Sequence, residues 1–286
     1  MGSWPAPAKI NLALHITGRR DDGYHLLDSL VVFAPDAADR ITVEAADKLS
    51  LTVTGPMATG VPTDDTNLVV RAARRLALLR NVACGGAITL EKNLPHGAGI
   101  GGGSSDAAAA IRALADLWGV APLTPLEALP LGADVPVCLS APTPKRMQGV
   151  GEILSDTPPL PPLWVVLVNP GRAVPTKTIF AELAEEEELF PAMDPIPANL
   201  DADAFALWLL EQRNDLTQAA LPHAPEIAQV LAALWATEGY VDAEMSGSGS
   251  TCWALYETQE GADAAAQSLR DTFPDYWIAV SAVGTA

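Results

Sequence analysis

The sequence predicts an α+β fold, and three observations carry that reading. Strand-like alternation and helix-like spacing are mixed in both halves of the 286-residue chain, without a regular β-α-β succession. Residues 156–162, D-T-P-P-L-P-P, put four prolines in seven positions, which neither a helix interior nor a central strand tolerates. A glycine run at 97–103 opens directly onto an alanine-rich helical pattern. The proline break predicts two domains, residues 1–155 and 156–286.

I-N-L-A-L-H-I (10–16) alternates apolar and polar residues and predicts a strand. L-L-D-S-L-V-V-F (26–33), I-T-V-E-A (41–45) and L-S-L-T-V-T (49–54) follow, with Asp, Gly and Pro between them. That makes four short strands in the first sixty residues, joined largely as hairpins. Helical spacing starts near 67, where Leu68, Ala72, Leu76 and Leu79 share a face and Arg71, Arg74 and Arg75 lie elsewhere. A strand, G-A-I-T-L-E-K (86–92), leads to the glycine run. The helix after it is predicted over 104–118, with Ala107, Ala108, Ile111, Leu114 and Leu117 inward and Gly119 ending it. Past the prolines, W-V-V-L-V (164–168) reads as a buried strand. Helical patterns near 203–213 and 225–237, strands at 240–245 and 251–257, a helix at 261–273 and a strand at 276–280 complete the chain. The E-E-E-E run at 185–188 predicts a solvated loop or helix end, since neighbouring carboxylates on a helix do not face one ligand.

Hydrophobic residues make up 49% of the chain, enough for a full core. The formal charge is -18, from 35 acidic and 17 basic residues, which argues against a nucleic-acid surface. It leaves room for a phosphorylated small molecule, because backbone N–H groups bind such a ligand without needing net positive charge. Cys84, Cys138 and Cys252 are far apart and include no C-x-x-C, so neither a disulfide framework nor a zinc site is expected. The N-terminus lacks a charged and then apolar leader, and no apolar run reaches membrane-spanning length. A soluble cytoplasmic protein is expected, with no membrane partner.

The glycine run, N-L-P-H-G-A-G-I-G-G-G-S-S-D-A-A (93–108), admits three readings. A flexible turn explains one or two glycines, not the five between Gly97 and Gly103. A dinucleotide fingerprint fits Gly97, Gly99 and Gly102, but Pro95 and His96 separate the strand from the first glycine, and Asp116 falls inside the helix. A phosphate cradle uses more of the residues. Glycine amides approach an anion with no Cβ in the way, Ser104 and Ser105 add hydroxyls, and the helix directs its positive N-terminal dipole at the bound group. One serine also suits a helix cap. A carboxylate at Asp106 sits oddly beside phosphates, and its partner is not legible.

This run, as P-x-G-A-G-I-G-G-G-S-S-D-A-A, resembles the central motif of the GHMP kinases, the group of galactokinase, homoserine kinase and mevalonate kinase. P-A-K-I-N-L-A-L-H-I-T-G-R-R-D-D-G-Y-H-L-L-D-S-L (7–30), L-G-A-D-V-P-V-C-L (131–139), G-x-G-E-x-L (149–154), Asn214-Asp215-Leu216 and M-S-G-S-G-S-T-C-W-A-L (245–255) are similar to further segments of that family in the same order. Where the family usually has glycines after C-L, this chain reads S-A-P-T-P-K-R (140–146). The nearest resemblance is to the branch that phosphorylates a cytidyl diphosphate alcohol in the non-mevalonate isoprenoid pathway; a homoserine or mevalonate kinase is the alternative.

The resemblance implies a ribosomal-protein-S5-like N-terminal domain and a ferredoxin-like C-terminal domain with the active site between them. It implies ATP and Mg²⁺ as cofactors and Lys9 and Asp134 as the catalytic pair. ATP is expected on Pro95, His96, Gly97, Ala98, Gly99, Ile100, Gly101, Gly102, Gly103, Ser104 and Ser105, with Asn67 near the adenine. The cytidyl diphosphate partner is expected on Asn11, Tyr24, His25, Phe180, Gly247 and Ser248. No protein ligand for Mg²⁺ is legible beyond Ser105. The chain is expected to be a monomer or a weak homodimer. An ammonium at Lys9 would keep the Asp134 carboxylate ionised. Asn11, two residues along a strand, shares the face of Lys9.

Overall fold

A computed structural model describes residues 2–183 and 191–284; the E-E-E-E run at 185–188 lies outside them. The chain opens with two long strands, β1 (Ser3–Arg19) and β2 (His25–Glu44), paired antiparallel over their length. The sequence predicts two strands where β2 runs as one. Pro35 lacks a donor and should interrupt a ladder. Instead the register jumps from Ala8↔Ala34 to Pro7↔Ala38, so Pro35 sits in a bulge where no partner is needed.

β3 (Leu49–Thr54), α1 (Leu68–Arg80), β4 (Gly86–Glu91) and α2 (Gly102–Trp118) follow. Short helices α3 (Pro125–Ala128) and α4 (Val135–Cys138) lead to a hairpin of β5 (Lys145–Gly149) and β6 (Ile153–Asp156), which sequence patterning does not reveal. The strands form one sheet in the order β3-β4-β2-β5-β6, with β1 also on β2. α1 and α2 cover it, and Ala72, Leu76, Ile111 and Leu114 fill the space between.

After the prolines come β7 (Leu163–Asn169), α5 (Thr176–Leu183), α6 (Ala202–Leu210), α7 (Thr217–Ala220) and α8 (Glu226–Trp235). β8 (Tyr240–Met245), β9 (Cys252–Tyr256), α9 (Gln259–Thr272) and β10 (Trp277–Val283) end the chain. Their sheet, β10-β7-β9-β8, is wholly antiparallel. This order, with helices between β7 and β8 and between β9 and β10, is the ferredoxin-like arrangement.

The second sheet buries one face under α8 and α9. Its other face, through Val165, Leu167, Trp253 and Leu255, packs on Ile10, Leu12, Leu30 and Val32 of the first. β1 is therefore an inner strand, buried from Ala6 to Ile16, and its polar residues Lys9 and Asn11 are buried with it. Buried polar groups need partners, and the partners of these two define the site below.

Ile111 is fully buried between α2 and the sheet. Ile111→Ala is expected to lower unfolding free energy by about 2–5 kcal/mol through lost burial and the cavity left behind. A denaturant titration measures it, and no shift in midpoint would contradict this account of the core.

Candidate active site

Helix α2 begins at Gly102, two residues before the predicted start, so both serines lie inside its first turn and neither caps it. The N-cap is Gly101, left-handed at φ 62°, with no side-chain cap. The first-turn amides of Gly102, Gly103 and Ser104 are thus left without a side-chain acceptor, at the positive end of the helix dipole. A Cβ on Gly101 would stand 3.1 Å from Lys9 Cε, 3.2 Å from Lys9 Cβ and 3.8 Å from Asp134 Oδ2. The glycine run therefore lies directly on the Lys9–Asp134 pair. The backbone fixes this approach, because the Lys9 amide donates to the Ile100 carbonyl at 2.9 Å.

Lys9 Nζ stands 3.3 Å from Asp134 Oδ2 and donates to Asn11 Oδ1 at 2.7 Å. Asn11 Nδ2 in turn donates to Ser29 Oγ at 2.8 Å, and Ser29 donates to the Ala13 carbonyl at 2.6 Å. The ammonium is buried, whereas the Asp134 side chain keeps 34% of its surface exposed. Asp134 occupies the N-cap of α4 but makes no capping bond, so its carboxylate faces the cavity instead of the helix. Beneath it, burial and the Asp134 charge push the Cys138 thiol up to about 12. It stays protonated at neutral pH, which rules it out as a thiolate nucleophile.

A cavity of about 910 Å³ unites these groups. Lys9, Asn11 and Asp134 line it with Pro95, His96, Gly97, Ala98, Gly99, Gly101, Gly102, Gly103 and Ser104. At one end stand Asn67 and His96; at the other, Tyr24, His25 and Phe180; and Gly247 and Ser248 close one side. Asn67 caps α1 through a bond from the Val69 amide, while its Nδ2 donates to the Pro62 carbonyl at 2.7 Å. His96 Nε2 donates to the Met57 carbonyl at 2.6 Å. The His25 and Phe180 rings face each other at 5.2 Å between centroids, and Tyr24 is 64% exposed at the rim. Burial, aided by the Arg19 charge, lowers the pKa of His25 below its ordinary 6.5.

Two expected contacts are not brought to the cavity. Ser105 is buried off the cavity lining, and its hydroxyl donates to the Pro7 carbonyl at 2.7 Å. Ile100 turns its side chain into the core between the sheets and offers only backbone, already bonded to Lys9.

The sequence profile of the GHMP kinases N terminal domain matches residues 67–141, and that of the GHMP kinases C terminal domain matches residues 197–275. Curated relatives called 4-diphosphocytidyl-2-C-methyl-D-erythritol kinase are similar over nearly the whole chain. The one from Cereibacter sphaeroides is 52% identical over 275 residues, 96% of each chain. That from Parvibaculum lavamentivorans is 47% identical over 283 residues, 98% of this chain and 97% of the relative. The chain belongs to the GHMP kinase family.

A crystal structure of 4-(cytidine 5'-diphospho)-2C-methyl-D-erythritol kinase superposes on this GHMP kinase with a TM-score of 0.80 at 35% identity, covering all of both chains. A homoserine kinase from Cytophaga hutchinsonii gives 0.69 at 18% identity over 99% of this chain and 94% of its own, a likeness of fold alone. The fold is thus the family's two-domain α+β architecture.

Sequence reasoning missed one cluster in this GHMP kinase. Lys92, at the end of β4, pairs with Asp39 and with Asp106, the latter at 2.8 Å, and all three are buried. Asp39 also accepts the Asn93 and Leu94 amides. The cluster ties β2, the approach to the glycine run, and the first turns of α2 together. It accounts for one oxygen of Asp106, whereas Oδ1 is buried without a partner. Burial and the neighbouring Asp39 raise the Asp106 carboxyl well above its ordinary value despite the Lys92 ammonium. Burial opposes the Lys92 charge, but Asp106 and Asp39 outweigh it and hold the amine protonated. A lysine three residues before a proline carries no local signal of this role.

The contact between Gly101 and Lys9 sets a specific expectation. Gly101→Ala adds a methyl against a buried lysine at a left-handed backbone position. Turnover is expected to fall about a hundredfold, a displacement effect on aligned groups. A steady-state assay beside a melting curve tests it; a variant with near-normal turnover would show that the contact does not govern alignment.

Proposed function

We propose that this chain is an ATP-dependent kinase that phosphorylates the 2-hydroxyl of 4-diphosphocytidyl-2-C-methyl-D-erythritol, in the non-mevalonate route to isoprenoid precursors. The observation that carries the reading is the contact of the glycine run with Lys9 and Asp134 in one cavity that also holds an aromatic end. The full-length relatives bearing that enzyme's name support the choice of substrate. On the same reading residues 1–155 form the nucleotide domain and residues 156–286 the second domain.

Phosphoryl transfer to an alcohol asks for alignment, charge neutralisation and a proton acceptor. The amides at the start of α2 hold the ATP phosphates, and Asn67 and His96 bound the adenine end. Asp134 accepts the proton of the acceptor hydroxyl. Lys9, paired with that carboxylate at 3.3 Å, stabilises charge on the transferred group. Asn11, already bonded to Lys9, orients the alcohol, with Gly247 and Ser248 against it. Tyr24, His25 and Phe180 take the cytosine, where rings stack and a histidine reads the base edge. Mg²⁺ bound with ATP supplies further charge neutralisation on the phosphates. Among the lining residues, Ser104 and Asp134 carry the oxygens that would suit such an ion. Among the described residues no helix is long and apolar enough to cross a membrane, and a cytoplasmic monomer or weak homodimer is consistent with this chemistry.

A coupled ADP-release assay with the cytidyl substrate, mevalonate and homoserine side by side tests the reading. Turnover is expected with the first alone, and comparable turnover of either other alcohol would overturn the assignment. Asp134→Asn is expected to lower kcat by about 10²–10⁴, the span of general-base catalysis, while ATP still binds.

The lowered pKa of His25 fixes a pH dependence. A pKa below 6.5 leaves the ring neutral at pH 7, so it charges only as the pH falls through that lower value. KM for the cytidyl substrate is expected to be flat above pH 6.5 and to rise on acidification below it, with KM for ATP unmoved. His25→Gln should flatten the profile. A profile unchanged by that substitution would remove the histidine from base recognition.

A further inference from the structure

Four lysines and arginines line the cavity: Lys9, Arg19, Lys92 and Lys177. Lys9 faces Asp134, and Lys92 is held by Asp39 and Asp106. Arg19 and Lys177 have no acidic partner within ion-pair distance among the described residues. Asp22, the acid on the lining near Arg19, is taken up by Arg20 at 2.7 Å. In a chain with 35 acidic residues against 17 basic ones, two free cations on one cavity wall call for a ligand of opposite charge.

Their placement says which part of the ligand they meet. Arg19 ends β1 and pairs across the ladder with His25, whose ring faces Phe180. Lys177 lies in the first turn of α5, three residues before Phe180, so the two side chains share a face of the helix. Thr176, the first residue of α5, is hydrogen-bonded to Ser248 at 2.8 Å, and a Cβ on the adjacent Gly247 would stand 3.3 Å from Asn11 Oδ1. α5 thus runs from the Lys9–Asn11–Asp134 end of the cavity to the aromatic end. Thr176 and Phe180 are separated by about 6 Å along the helix axis, at 1.5 Å per residue, the scale of one diphosphate group. A ligand with its base on His25 and Phe180 and its alcohol at Asp134 must lay the link between them past Lys177 and Arg19.

We propose that Arg19 and Lys177 form a clamp for the diphosphate of the acceptor, so that the site selects a nucleoside-diphosphate-linked alcohol over a phosphate-free one. This rests on the cytidyl substrate proposed above. Both side chains are exposed, so their attraction for the diphosphate is screened by salt and adds mainly to binding and approach, not to the chemical step. Glycine amides serve one polyphosphate and side-chain cations the other, so the two anions occupy separate seats.

The test is calorimetric binding of cytidine and of CDP, with the nucleotide cradle saturated by a non-hydrolysable ATP analogue. The proteins compared are the unmodified chain, Lys177→Ala, Arg19→Ala and the double variant. CDP is expected to bind the unmodified chain more tightly than cytidine, with an affinity that falls as salt rises. In the double variant CDP affinity should drop by about tenfold or more, the worth of charge-assisted hydrogen bonds, and lose most of its salt dependence. Cytidine affinity, KM for ATP and melting temperature should hold. KM for the cytidyl substrate should rise in parallel with the loss of CDP affinity. If the double variant keeps the original preference for CDP over cytidine while the unmodified chain turns over the cytidyl substrate, the clamp is wrong and the functional reading stands. If the unmodified chain neither binds cytidine nor turns over the cytidyl substrate, the functional reading itself fails and the clamp with it.

Discussion

The site depends on one steric constraint, the seating of Gly101 against the side chain of Lys9. A backbone at φ 62° with a would-be Cβ 3.1 Å from a buried lysine favours glycine and strains any other residue. The bond from the Lys9 amide to the Ile100 carbonyl holds the loop to an inner strand buried between two packed layers. Strand, loop and helix start are therefore one rigid unit. The relative position of the first α2 amides and the Lys9 ammonium follows from it.

Charge is handled by the same economy of placement. An acidic protein cannot gather polyanions by net attraction. One cavity instead gathers the start of α2 and four of the seventeen cations. Lys92 is buried, and with its two carboxylates it makes a cluster with more negative than positive groups. Removing Lys92 from such a cluster costs about 3–5 kcal/mol because the buried carboxylates are left uncompensated. Its value here is geometric: it binds the approach to the glycine run to β2 and α2 at once.

What was legible in the sequence was what short-range chemistry dictates. Five glycines before an alanine helix forecast a helix start that meets the cavity with bare backbone, and the Lys9-x-Asn11 spacing placed two polar groups on one strand face, where they bond each other at 2.7 Å. The roles proposed for Tyr24, His25, Phe180 and Asn11 came from resemblance to the family, not from spacing. What escaped was set by distant partners. Pro35 argued for two strands until a bulge opposite Pro7 and Ala8 made room for it. Ser105 read as a cavity residue because nothing local tells that its hydroxyl bonds to the Pro7 carbonyl, 98 residues earlier. Asp106 looked misplaced because its counter-ion lies on another element and pairs with a third.

One serine hydroxyl ties the second sheet to both Asn11 and the glycine run. Ser246, just after β8, donates to the Gly99 carbonyl at 3.1 Å and accepts the Asn11 amide at 3.1 Å. Gly99 lies so close that a Cβ there would fall 2.3 Å from the Ser246 carbonyl oxygen. Behind the turn, Asn214 donates to the carbonyls of Met245 and Gly247 and fixes its shape. Trp253 adds a bond from its indole to the Asn11 carbonyl at 3.1 Å. The residue proposed to orient the alcohol is thus gripped on both backbone groups by the second sheet and on its side chain by the first. A displacement of one layer against the other would move Asn11 and the glycine run together, because the same serine holds both. The packing between the sheets, rather than any one loop, therefore sets the distance over which a phosphoryl group would travel.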